Sequence, residues 1–245
     1  MNRSRLTRRT RLFHKWVGLI VAVQLVLWIA SGLVMSSLNL DMVRGAHNAA
    51  NNAPEAIALT TDVLPPSELL DRINSPVTAM TMRMWQGQAV YVAESANGIS
   101  LYSARTGKAL SPIDETSALK IARADYTGNG KPVATQWLEV TPREARGRDA
   151  PLWRARFDDG ANTAIYVSAQ TGAVVARRND WWRLFDVVWM LHIMDYDTRD
   201  DFNHPLLIVS AATALLFALS GVVLLTLSLL PRKQRPGSRS TNSSA

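Results

Sequence analysis

Cysteine is absent from the 245-residue sequence. The chain therefore has no disulfide bonds, no iron–sulfur cluster held by thiolates and no covalently attached c-type haem. It also lacks an H-E-x-x-H motif, a phosphate-binding loop, a nucleophile elbow and a dinucleotide fingerprint. These absences argue against a hydrolase or an NAD-dependent enzyme, and no flavin or nicotinamide site is visible.

Charged residues are absent from two long stretches, 16–40 and 203–230. Each stretch exceeds the roughly 20 apolar residues that a helix needs to cross a bilayer core of about 30 Å. We therefore expect two membrane-spanning helices, at 16–38 and 204–230. A cleaved signal peptide is the alternative for the first stretch. An apolar signal segment has only about 7–15 residues and precedes an A-x-A-like site, so an uncleaved helix fits better.

Acidic residues are absent from both ends of the chain. Residues 1–16 and 231–245 hold six and four of the 27 basic residues and none of the 20 acidic ones. Basic flanks mark the cytoplasmic side of membrane helices, so we expect both termini in the cytoplasm. The central domain would then be periplasmic, with the chain in a bacterial inner membrane. Because the central part is slightly acidic, the net charge of +7 does not indicate nucleic-acid binding.

The composition divides the chain into eight segments. They are a basic cytoplasmic arm (1–15), the first spanning helix (16–38), a linker (39–62), two folded repeats (63–112 and 113–179), an interfacial amphipathic helix with an acidic loop (180–203), the second spanning helix (204–230) and a basic cytoplasmic tail (231–245).

The folded part contains an internal repeat. The run Ser-Ala-Arg-Thr-Gly at 103–107 recurs as Ser-Ala-Gln-Thr-Gly at 168–172, and each copy follows an alternating strand pattern. Each Thr-Gly is typical of a tight turn whose glycine adopts positive φ. Helix candidates at 66–74 and 114–126 precede the strand candidates, which are 77–85, 88–94 and 98–102 in the first copy and 132–140, 151–157 and 163–167 in the second. The predicted fold class is membrane α+β, with two tandem modules of a helix and an antiparallel sheet.

This arrangement resembles the PepSY domain. The opening of the first helix, with His14, Lys15, Trp16, Gly18 and Leu19, resembles the PepSY-associated transmembrane helix family. The resemblance covers about residues 12–230. It implies a small relative of the membrane subunits of siderophore–iron reductases, which bind haem b, although those proteins have about four spans and this chain has two.

The resemblance implies that histidines could hold haem b. His14, at the cytoplasmic mouth of the first helix, shares a helical face with small residues, which let helices approach closely. His192 lies on an aromatic stripe, and His204 begins the second span. The alternative for His14 is an interfacial residue that reaches the headgroups, and for His192 and His204 it is a hydrogen-bonded interfacial histidine.

His14 and His204 lie at opposite membrane faces, about 30 Å apart, and cannot share one iron. A homodimer, or a partner membrane subunit, would supply the missing ligands, and a dimer would restore four helices. A cytoplasmic flavin reductase would be the electron donor.

An acidic cluster between the two outer histidines is a candidate metal site. Its members are Asp195, Asp197, Asp200 and Asp201. Carboxylates suit hard cations such as ferric iron. The alternative is a solvated loop in which one of these residues caps the second span.

Three functions from different classes remain open. The first is electron transfer across the membrane to an acceptor such as a ferric complex. The second is a membrane-anchored PepSY interaction module, without cofactor, that regulates a protease or senses an envelope signal. The third, which rests on the acidic cluster alone, is delivery of a metal or small molecule to a transporter.

Overall fold

The computed structural model describes residues 3–51, 56–57 and 62–229. In the first helix it describes side chains from Lys15 onward, and in the last helix up to Leu219 and at Gly221, Val222 and Leu225. Six α-helices and seven strands follow one another in these ranges. In chain order they are α1 Arg3–Ser37, α2 Leu40–Val43, α3 Pro66–Arg72, β1 Val77–Trp85, β2 Gln88–Ser95, β3 Gly98–Ser103, α4 Glu115–Asp125, β4 Pro132–Leu138, β5 Leu152–Phe157, β6 Ala164–Ser168, β7 Val174–Arg178, α5 Asp180–Ile193 and α6 Pro205–Leu229.

The described chain forms two compact units. One consists of the two ends, up to Met35 and from Val188, and the other of residues Ser36–Val187. Helix α5 contributes its first eight residues to the central unit and its last six to the terminal unit.

The central unit confirms the predicted α+β class. It contains a three-stranded antiparallel sheet, β1-β2-β3, and a four-stranded antiparallel sheet, β4-β5-β6-β7. Every predicted strand is present within two residues of its expected bounds, and only β7 lies outside the strand candidates. Helix α4 begins where its sequence indicates, because the Asp114 carboxylate accepts a hydrogen bond of 2.8 Å from the Ser117 N–H.

The central strands β2 and β6 are buried on both faces. In β2, Val90 faces a core shared with α4 and the second sheet, whereas its neighbour Tyr91 faces a core formed with Leu69 of α3. In β6, Ile165 joins the shared core and Tyr166 faces the opposite side. Successive residues of a strand point to opposite faces, so two-sided burial requires the continuous apolar runs that these strands carry.

The two Thr-Gly turns have the same backbone hydrogen bonds. The Gly107 N–H donates to the Ser103 carbonyl, and the Gly172 N–H donates to the Ser168 carbonyl, each at 2.8 Å. Both glycines have positive φ, +70° and +61°, as the sequence predicts. The repeated five-residue run therefore encodes one local structure twice.

Within the segment interpreted as a linker, 39–62, the structure gives residues 39–51 local structure and tertiary hydrogen bonds. The Asn39 side chain caps α2 by accepting from the Asp41 N–H at 2.8 Å. Farther along, the Ala50 N–H donates to the Asp125 carbonyl at 2.7 Å, which ties the segment to the end of α4. A polar, Asn-rich composition is typical of loops, so these tertiary hydrogen bonds have no signature in the sequence.

A polar network holds the start of α5 against the second sheet. Glu144 accepts hydrogen bonds from the Tyr166 hydroxyl at 2.7 Å and from Arg183 at 2.8 Å. Arg146 pairs with Asp186 at 2.7 Å. Burial opposes ionisation of Glu144, but the hydrogen bonds from Arg183 and Tyr166 prevail and lower its pKa.

Helix α1 begins earlier than the predicted span at 16–38. Arginine, leucine and lysine are good helix formers, which explains why the basic arm continues the helix. Among the described residues, one segment, Lys15–Ser37, is long and apolar enough to cross a membrane, and Pro205–Leu219 is a shorter apolar segment. The second span therefore stays a prediction.

Candidate functional site

The candidate site is the contact between His192, near the end of α5, and one face of α1. The His192 Nδ1 atom lies 2.9 Å from the Ser31 hydroxyl oxygen. The Trp28 indole N–H donates to the His192 carbonyl at 2.9 Å. A Cβ atom on Gly32 would lie 3.5 Å from the His192 Cε1 atom, so the ring packs against the glycine backbone. Both the ring and the backbone of His192 are thus fixed to α1.

The hydrogen bonds of Ser31 assign the tautomer of the neutral His192 ring. The Ser31 hydroxyl lies 2.7 Å from the Leu27 carbonyl, which can only accept. Because a hydroxyl has one proton, Ser31 donates it to the carbonyl and accepts from the Nδ1–H of His192. In a neutral ring the Nε2 atom would then carry the lone pair. This is the tautomer that a metal-binding histidine needs, with its other nitrogen held by a fixed acceptor.

Burial is uneven around this histidine. Ser31 is 6% exposed and the following residues Ile193 and Met194 are 3% and 5% exposed, whereas the His192 ring is half-buried. The Gln24 amide nitrogen lies 3.6 Å from the Met194 sulfur, which extends the contact along α1. An apolar, partly enclosed imidazole of this kind can act as a ligand or as a hydrogen-bonding anchor.

His204 lies at the start of α6. Its carbonyl accepts from the Ile208 N–H at 3.2 Å, the first hydrogen bond of the helix. Its Nδ1 atom is buried and has no hydrogen-bond partner in the part of the chain that the structure describes. Buried polar atoms are rarely left unpaired, so this nitrogen is a candidate for a further partner. Among the described residues, no hydrogen bond joins His204 to His192.

The two remaining histidines are less informative. Helix α1 includes His14, but its side chain lies outside the described residues. His47, which precedes the folded core, is exposed, and its Nδ1 atom lies 3.3 Å from the Asp41 carbonyl.

The acidic loop is organised by one of its own carboxylates. Asp195 is 2% exposed and accepts hydrogen bonds from four backbone N–H groups and from the Thr198 hydroxyl. The hydrogen bond from Thr198 and those from the backbone lower the pKa of Asp195 well below its usual range, against the opposing effect of burial. Its oxygens are therefore already occupied by donors.

The remaining acidic candidates do not join Asp195 in a metal cluster. Asp197, Asp200 and Asp201 are exposed. Across the described ranges, no three His, Asp or Glu side chains are grouped so that they could hold a metal ion. The carboxylate metal site stays a prediction without geometric support.

Comparison with known proteins finds no relative: no family model, no curated protein and no solved structure matches the chain.

Sequence reasoning identified His192 but not the α1 residues that hold it. Ser31 and Gly32 lie three and four positions after Trp28. This spacing places the three residues on one face of the helix. A tryptophan, a hydroxyl and a glycine on one face of an apolar helix are a signal for a polar partner at close range. That signal was available, but the sequence does not specify which histidine is the partner.

Proposed function

We propose that this chain is a haem-b electron-transfer subunit of a bacterial inner membrane. It would pass electrons from a cytoplasmic reductase to a periplasmic acceptor such as a ferric complex. The observation that carries the proposal is the His192 ring, which is anchored through Nδ1 to the Ser31 hydroxyl and so leaves Nε2 as the nitrogen that could bind iron.

The residues around His192 fit the requirements of a histidine that would hold haem iron. Such a histidine needs an apolar setting, a fixed orientation and an acceptor for its second nitrogen. Ser31 supplies the acceptor, Trp28 fixes the helix backbone and Gly32 allows the close approach. Bound haem b would supply reversible one-electron chemistry at its iron.

The proposal includes His14 and His204 as further ligands. The unpartnered Nδ1 atom of His204 supports this role. A homodimer would bring two copies of each histidine together and would form a four-helix membrane bundle, the arrangement in which cofactor sites are built between helices.

Membrane topology and the periplasmic modules are also part of the proposal. Segment Lys15–Ser37 is apolar enough to span a bilayer, and the uncharged α6 would be the second span. We interpret the central unit as two tandem PepSY-like modules, because α3 precedes the first sheet, α4 precedes the second, and the same Thr-Gly turn follows β3 in one and β6 in the other.

The decisive experiment is the absorption spectrum of the protein purified in detergent, after expression with ample haem. We expect a b-type spectrum that sharpens on reduction with dithionite. His192→Ala should remove part of it, whereas His47→Ala, which changes an exposed histidine, should not. A protein without haem absorption would refute the proposal.

Ser31→Ala separates orientation from ligation. This variant keeps the His192 ring but removes the acceptor of its Nδ1–H, so haem should still bind with a shifted reduction potential. An unchanged potential would show that Ser31 does not act on a ligand, because outer hydrogen bonds to ligands normally tune a metal centre.

A second candidate is a membrane-anchored interaction module without cofactor, which would restrain a protease or respond to an envelope signal. This candidate is favoured by the two contacts of His192. Trp28 hydrogen-bonds to its backbone carbonyl and Ser31 to its ring, and both contacts join α5 to α1 as a purely structural role would require. Under this candidate His192→Gln, which can still hydrogen-bond to Ser31, would preserve function in cells.

A further inference from the structure

A groove in the central unit is lined by two cations that form no ion pair with the acidic residues that the structure describes. It lies between the end of β1, helix α4 and the second Thr-Gly turn, and has a volume of about 770 Å³. That size is typical of small-molecule sites, which range from about 300 to 1,000 Å³. Its walls include the apolar side chains Trp85, Ile121 and Val174 and the cations Arg83 and Lys120.

The cations of this groove lack carboxylate partners. Neither Arg83 nor Lys120 forms an ion pair with any residue that the structure describes. Asp125 is the acidic residue of the lining, and its carboxylate is bound by two nitrogens of Arg177. Burial lowers the pKa of Arg83, which shows that its charge is partly removed from water. An anion in the groove would compensate this charge.

The wall around Arg83 is fixed by contacts with the turn. The Arg83 guanidinium donates to the Thr171 carbonyl, and the Trp85 indole N–H donates to the Gly172 carbonyl at 3.0 Å. A Cβ atom at Gly172 would lie 2.4 Å from the Trp85 Nε1 atom, so only glycine permits this contact. These contacts therefore fix the Arg83 guanidinium and the Trp85 indole in the unliganded protein. Such preorganisation lowers the entropic cost of binding a ligand.

We infer that this groove binds a small organic carboxylate with an apolar body. The carboxylate would pair with Arg83 and Lys120, and the apolar body would contact Trp85, Ile121 and Val174. Charge-assisted hydrogen bonds to a carboxylate are stronger than neutral ones, and the apolar wall adds area that water would otherwise cover. The inference is independent of haem and of the histidines.

The test uses the full chain in nanodiscs of zwitterionic lipid, with ¹³C-methyl-labelled methionine. Met82 and Met84 also line the groove and report binding through their chemical shifts. We expect phenylacetate to shift both resonances saturably, and its neutral isostere phenylacetamide to bind at least about tenfold more weakly. Arg83→Met and Lys120→Met should each weaken phenylacetate binding several-fold.

Two further variants control for charge and shape. Arg123→Met removes an exposed cation from the same helix as Lys120 but outside the lining, and should leave binding unchanged. Ala124→Leu fills the groove without changing charge and should weaken binding. Three outcomes would each overturn the inference. They are equal affinity for phenylacetate and phenylacetamide, an equal effect of Arg123→Met and Lys120→Met on binding, and no chemical-shift change at millimolar phenylacetate.

Discussion

Replacing Gly172 by alanine tests the packing of the second Thr-Gly turn. The residue has φ +61° and its carbonyl accepts from the Trp85 indole. An added Cβ atom would lie 2.4 Å from the Trp85 Nε1 atom, closer than any real contact. The substitution must therefore strain the backbone and also displace a tryptophan of the shared core.

The magnitude follows from three contributions. A left-handed conformation costs a non-glycine residue about 1–2 kcal/mol. Overpacking adds about 1–3 kcal/mol, and loss of the indole hydrogen bond adds about 1 kcal/mol. We therefore expect Gly172→Ala to lower the free energy of unfolding by about 3–6 kcal/mol.

Two other glycines serve as matched controls. Gly87 has φ +78° with nothing within 4 Å of the added Cβ, so its replacement by alanine costs the backbone contribution alone, about 1–2 kcal/mol. At Gly107, in the first Thr-Gly turn, the nearest atom is the Arg72 guanidinium end at 3.0 Å, which can move. We expect a cost of about 1–2 kcal/mol at that position.

Urea unfolding of the full chain in detergent, followed by near-ultraviolet circular dichroism of tryptophan, measures these differences. The expected order of destabilisation is Gly172→Ala first, followed by Gly107→Ala and Gly87→Ala with similar, smaller losses. Equal losses in all three variants would refute the packing argument, because only the shared backbone conformation would then matter.

Three further perturbations probe other parts of the molecule. Burial, together with the hydrogen bond to Glu144, raises the pKa of Tyr166 to about 12, above the value of about 10 in the unfolded chain. The contribution of the Tyr166 hydroxyl to the free energy of unfolding is therefore fully present below pH 10. The free energy of unfolding, measured in urea, should fall by about 2–3 kcal/mol as the pH rises to 12. Tyr166→Phe should abolish that fall. Asp125→Asn leaves Arg177 without its carboxylate and should cost about 2–3 kcal/mol in the same assay, whereas a loss below about 1 kcal/mol would contradict a structural pair. Asp195→Asn removes one of the two carboxylate oxygens that accept hydrogen bonds from the acidic loop. The amides of the loop should then exchange hydrogen faster, as measured by mass spectrometry. Unchanged exchange would show that the carboxylate does not hold the loop.

Periodicity predicted the elements of the central unit well because each signal is local. Short apolar strand patterns identified β1, β2 and β3, and Asp114 identified the start of α4. The missed strand, β7, has the sequence Val-Val-Ala-Arg-Arg, in which apolar and charged residues do not alternate. Its place in the sheet depends on pairing with β6, which is a tertiary effect.

The candidate site was less predictable, because it depends on contacts between distant residues. Ser31 and His192 are separated by 161 positions, and neither residue alone indicates the other. Asp195 illustrates the opposite error. Four acidic residues in one loop favour a cation by composition, yet the carboxylate of Asp195 serves as the acceptor that folds the loop around itself.

Helix α4 has a mechanical consequence for the central unit. Its residues Ala118 and Ala122 share one core with Val90 and Leu101 of the first sheet and with the strands of the second. Extraction of this helix would uncover both sheets at once. Pulled apart by its ends, the unit should therefore rupture in a single force peak, and not in two peaks as independent repeats on a string would.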